Sequence, residues 1–220
     1  SVGNLFAQDA NADKLREEGD AAMTAKNYPE VVAKYSEYLK LTNYEDESRV
    51  FNCAFAAYNA KKYDDAIKFY DMAIQKGYKT DDAYVGKAMS LRSQDKAADF
   101  TATVEAGLKA NAQNANLEKL LYAYCMKKGQ AAQKAGKTEE AEELFKDVLV
   151  VGNAKYKGNA LYSLGVMFYN AGAKILADAN PIATSDPDKY AAEKKKADAQ
   201  MAKAKGYLEQ AIALNAADAN

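Results

Sequence analysis

The chain contains no histidine among its 220 residues. Without imidazole there is no Ser-His-Asp or Cys-His nucleophile system, no histidine-ligated metal and no ordinary general base near neutral pH. Carboxylates are plentiful, but on amphipathic helices they fall on the outer face, where water keeps them ordinary. A glycosidase-like pair would need a pocket, and no pair is singled out by its spacing. Residues Ala131 to Thr138 end in Gly136-Lys137-Thr138 and match a relaxed phosphate-binding loop. That loop requires a strand before it and a wide glycine-rich turn. Here the preceding residues read as helix, so Gly136 is explained as a helix stop. Asp9, Asn11 and Asp13 alternate as at the start of a calcium loop, yet Lys14 and Asp20 stand where Gly and Glu are needed. Helix capping by Asn11 or Asp13 accounts for them better. Cys53 and Cys125 lie among apolar neighbours on helix faces and read as buried free thiols. No catalytic residue, cofactor or metal is expected, and the chain is read as no enzyme.

Charge and hydropathy exclude further classes. The net charge is −1 and 28% of residues are charged, so there is no positive field for nucleic acid. No apolar run approaches the ~20 residues needed to cross a bilayer, and no membrane insertion is expected. Residues 1–11 read as a signal-peptide remnant and flexible N-terminus: a small residue, Ala7, ends a short apolar stretch ahead of Gln8. That resembles the mature start of exported Gram-negative proteins and points to a periplasmic or secreted chain. An ordinary frayed terminus is the competing account.

The elements behind this chemistry are paired helices. In Glu47 to Thr80, Val50, Cys53, Ala54 and Ala57 share one helical face, and Ala66, Ile67, Tyr70, Ala73 and Ile74 share another. Asn59 to Asp64 turns the chain between them. One such pair cannot bury its apolar face, so copies must stack. Similar pairs occupy residues 12–46, 47–80, 81–113 and 114–155. A fifth, 158–216, carries a long insertion around 173–199, and 217–220 form a tail. Asn180-Pro181 breaks its first helix, and Ser185-Asp186-Pro187 opens its second. The simplest geometry is a projecting hairpin of extended helices. Its lysines, from Lys189 to Lys205, form either a solvated face or a basic docking surface.

The main apolar position of the second helix falls at Tyr35, Tyr70, Val104 and Phe145, which are 35, 34 and 41 residues apart. Small residues recur where paired helices touch: Gly19, Ala54, Ala88, Gly129 and Gly165 in first helices, Ala66, Ala141 and Ala204 in second ones. This pattern, over roughly residues 12 to 216, resembles the tetratricopeptide repeat (TPR) family. The sequence departs from it in lacking Trp and a closing Pro, and in placing Phe100 at a usually small position. The resemblance implies an all-α fold, a right-handed α-solenoid of about five hairpins. It further implies a non-enzymatic scaffold that grips protein or peptide partners in a concave groove.

Some first helices carry a second apolar stripe. Phe51, Phe55 and Tyr58 line up ~120° around from Val50 and Ala54. Carried over by position from the family, the groove holds Phe51, Phe55, Tyr58 and Asn59, then Val85, Met89 and Arg92. Further along come Tyr162, Val166, Tyr169 and Asn170. The family's clamp for acidic chain ends has few counterparts here, only Arg16, Asn52 and Arg92. Packing between neighbouring repeats is the other use for this stripe. Capture of a small ligand or glycan on the groove aromatics is the alternative function. A closed pocket based on Tyr162 and Tyr169 would favour it, and an open channel would favour a peptide.

Overall fold

The computed structural model describes residues 2–219. Among them there are ten α-helices, two short 3-10 turns and no strand. The helices pair in chain order. Helices α1 (Val2–Thr24) and α2 (Tyr28–Leu41), α3 (Glu47–Asn59) and α4 (Tyr63–Gln75), and α5 (Thr80–Ser93) and α6 (Ala97–Ala110) form three hairpins. Two more follow, from α7 (Ala115–Lys134) and α8 (Thr138–Asp147), and from α9 (Ala154–Ala179) and α10 (Pro187–Ala219). The chain divides into two compact units, residues 1–117 and 118–220, with the boundary inside the first turn of α7.

Four of the hairpin turns share one construction. Lys26, Lys61, Asp95 and Gly136 each take a left-handed backbone conformation, with φ of 56°, 60°, 55° and 75°. At each, the N–H of that residue donates to the carbonyl three back, and the next N–H to the carbonyl five back. This is the Schellman closure of a helix, for which glycine is the unstrained choice. Gly136-Lys137-Thr138 is therefore the same turn as Lys61-Lys62-Tyr63. Lys137 starts α8 and pairs with Glu140 at 3.9 Å.

The first unit is held by small residues against large ones. Val31, Leu39, Val50, Cys53, Ala54, Ala66 and Ala73 are fully buried. Gly86 of α5 sits directly on the Tyr70 ring, where any Cβ would collide with it. Cys53 and Cys125 are free and buried, and burial pushes both thiols up to about 12.

In the second unit α8 is only ten residues long, while α9 has 26 and α10 has 33. Glu142 of α8 accepts from Lys203 Nζ at 3.0 Å and from Tyr207 Oη at 2.8 Å. Further out, α9 and α10 hold each other: Gly172 faces the Ala197 carbonyl, and Ala179 and Ala197 are buried. Ion pairs near the tip are local, as Lys174–Asp178 and Lys196–Glu193.

Residues 2–11 depart from the sequence expectation. They are helical, the first turns of α1, and all exposed. An exposed segment has nothing to bury and so shows no apolar period, while Ala, Leu and Gln still favour helix. It follows that Asn11 and Asp13 lie inside α1 and cap nothing, and that Asp9, Asn11 and Asp13 cannot form a loop around an ion.

Candidate functional site

Within the first unit, α3 and α5 lie side by side, since α5 packs on both α4 and α3. Their inner stripes are consumed: Val50, Cys53, Ala54 and Ala57 on α3, and Ala83, Ala88 and Leu91 on α5, are buried. The neighbouring stripe carries the predicted groove residues. Phe55 is 42% exposed, and its ring meets Tyr28 edge-on at 5.9 Å. One turn later Asn59 is exposed and donates to the Phe55 carbonyl at 2.8 Å, which fixes its amide on the same surface. Val85, Met89 and Arg92 follow on α5, all half-buried.

Phe51 and Tyr58 are drawn further in. Phe51 lies edge-on to Tyr70 and Tyr78 at 5.7 and 6.1 Å, with the Lys79 ammonium 5.2 Å from its ring. Tyr58 packs on Tyr63 at 5.8 Å and joins the core cluster. Both are half-buried, so packing accounts for much of their area.

In the second unit Val166 is half-buried, while Asn170, Tyr162 and Tyr169 are exposed. Tyr162 and Tyr169 stand 62% and 54% accessible, so they form the base of no closed pocket. The feature that would have favoured a small ligand is therefore lacking at these two tyrosines.

One cluster escaped sequence reasoning. Arg49 of α3 donates Nε and Nη2 to the two carboxylate oxygens of Asp20 on α1, at 2.9 and 2.7 Å, and Nη1 to Asp46 at 2.8 Å. Tyr35 and Tyr38 donate their hydroxyls to Asp20 and Asp46. Hydrogen bonding from Arg49 holds Asp20 below its ordinary range. Burial works the other way at Asp46, but the Tyr38 and Arg49 hydrogen bonds keep it lowered too. Fork geometry matched to carboxylates suits such bridging between hairpins. Arg16 in turn pairs with Asp13 at 3.2 Å.

No protein-family model matches the sequence. The crystal structure of a TPR repeats protein from Bacteroides fragilis NCTC 9343 superposes with a TM-score of 0.85. It is 46% identical, over 92% of this chain and 91% of that one. The chain belongs to the TPR family. The Hsp70-Hsp90 organizing protein 1 of Glycine max is also similar, 30% identical over 154 residues, which is 66% of this chain. This TPR chain spans only 26% of the soybean protein's length. TPR proteins are generally non-enzymatic scaffolds that bind protein partners. No helix among the described residues of this one is long and apolar enough to cross a membrane.

Proposed function

We propose that this TPR protein is a non-enzymatic scaffold that grips an extended peptide or a partner's surface along α3 and α5. The observation that supports the reading is Phe55. A large aromatic ring at 42% exposure sits on a rigid helix, beside an amide held in place by its own backbone. Rigid aromatic anchors next to fixed hydrogen-bonding groups are what binding hot spots are made of. Asn52 and Asn59 supply donors and acceptors for a peptide backbone, and Val85 and Met89 supply apolar area on the next helix. We further propose that the protein works in the envelope of a Gram-negative bacterium, exported with Ala7 at the end of its signal. The Ala7-Gln8 sequence supports this, as does the similarity to a Bacteroides protein.

A photo-crosslinking residue placed at Asn59 in living cells tests both parts. The reading expects one dominant protein adduct, recovered from the envelope fraction, and none from the same probe at Lys40 on α2. Adducts confined to the cytoplasm would overturn the location. Equal labelling from Asn59 and Lys40 would overturn the site.

A further inference from the structure

The first turns of α1 have nothing to pack on. Val2, Leu5 and Phe6 are exposed to 67%, 62% and 69%, and every other residue from 2 to 11 is exposed too. The first buried residue of the helix is Ala12, followed by Leu15, Gly19 and Ala22. Scission after Ala7 would therefore remove three large apolar side chains from the surface and no part of the core.

The charge pattern points to the same place. The helix running from Val2 has no acidic residue in its first turn. A helix beginning at Gln8 has Asp9 there. A carboxylate at that position meets the unpaired N–H groups and the positive end of the helix dipole, which favour it. A free α-amine at the same end would be protonated for much of the time, and its positive charge opposes the dipole.

We propose that Gln8, made the first residue by the export step proposed above, closes into a pyroglutamate that blocks the N-terminus of α1, a modification that rests on that step. The α-amine nitrogen attacks Cδ of its own side chain, closing a ring of N, Cα, Cβ, Cγ and Cδ. As the N–Cδ bond forms, the Cδ–Nε2 bond breaks. Nε2 takes a proton from the attacking amine and leaves as ammonia, so the step needs no oxidant, reductant or second reactant.

Both reacting groups belong to one residue, so the attack is intramolecular and carries little entropic cost. Gln8 is exposed, and no packing holds its side chain away from its own nitrogen. α-Amino groups titrate at about 8, so near neutral pH a fraction is the free amine that attacks. The residue type matters as well. An amide can expel ammonia, whereas a carboxylate at the same place would have to expel water and closes far more slowly. The lactam carries no charge, so the first turn of α1 keeps the Asp9 carboxylate and loses the opposing cation.

Mass spectrometry of the N-terminal peptide, from protein purified out of its own cells, tests this. Free amines are labelled before digestion, so that a lactam formed during handling is not counted. The expected peptide begins at Gln8, is one ammonia lighter than its sequence and carries no label on its terminus. Gln8→Ala should begin at the same position with full mass and a labelled α-amine. An aminopeptidase should shorten that variant and leave the native chain intact. Residue 8 is exposed, so the substitution should leave thermal melting unchanged. A native chain that begins at Gln8 with a labelled amine would overturn the lactam and leave the export reading standing. A native chain that keeps Phe6, or begins at any residue other than Gln8, would overturn the cleavage and the lactam together.

Discussion

Replacing Arg49 by Met keeps the aliphatic stem and removes the donors that tie α1 to α3. The structure sets the size of the loss. The Arg49 and Asp46 side chains are 26% and 20% exposed; hydrogen bonds to charged groups start at about 1.5 kcal/mol, and this contact takes that lower end. Asp20 is 42% exposed; solvent screening brings its pair to the upper end of the surface range, about 1 kcal/mol. Arg49→Met should therefore cost about 2.5 kcal/mol at pH 7. The pH dependence has a definite sign. Asp20 and Asp46 are both held below their ordinary range. Their contribution is thus full above the unfolded carboxylate range, near pH ~4, and is lost as pH falls through the folded values. Urea unfolding of both proteins at pH 7 and at about pH 3 should show the gap in stability shrinking by half or more at acid pH. An equal gap at both values would refute the reasoning, because the loss would then come from packing and not from charge.

Lys61→Gly should stabilise the protein by roughly 0.5–1 kcal/mol, read as a higher urea midpoint, because a left-handed residue is relieved of its Cβ clash. A lower midpoint would mean that the Lys61 stem makes contacts worth more than the strain. Deleting residues 173–199 and closing α9 to α10 with a short turn should remove only those residues' helical signal, since contacts there run within the hairpin. Loss of cooperative melting across the whole chain would show that the tip supports the rest.

The hairpins were legible because their signals are local and repeated. Gly19, Ala54, Ala88, Gly129 and Gly165 stand where a first helix meets its partner, and all five are buried. The turns were legible in position but not in conformation. Lys26 and Lys61, both exposed, and Asp95 hold a left-handed backbone without being glycine, and no spacing rule marks that. The Arg49 cluster was hidden for another reason. Asp20, Asp46 and Arg49 look like ordinary surface charges, and only the packing of α2 on both α1 and α3 brings residues 29 apart into one fork. The groove stripe was visible as a stripe, but its division was not. Phe55 and Phe51 are four residues apart on one helix, yet Tyr70 of α4 and Tyr78 and Lys79 in the turn before α5 cover Phe51, while Phe55 stays open. That distinction depends on the next hairpin's height, which is a tertiary fact. The same holds for Tyr162 and Tyr169, whose types match Phe51 and Tyr58 but whose side of the hairpin is uncovered.

The most direct test of the binding account is Phe55→Ala, measured against the partner segment trapped at Asn59. Binding to the purified protein by calorimetry should weaken by well over tenfold, corresponding to ~2 kcal/mol for an aromatic anchor. Because the ring is 42% exposed and meets Tyr28 only edge-on, the melting temperature should hardly move. Tyr70→Ala, in the core at 4% exposure, should do the opposite and lose stability first. If Phe55→Ala melts the protein while the remaining folded fraction binds as before, the stripe on α3 is packing and the partner binds elsewhere.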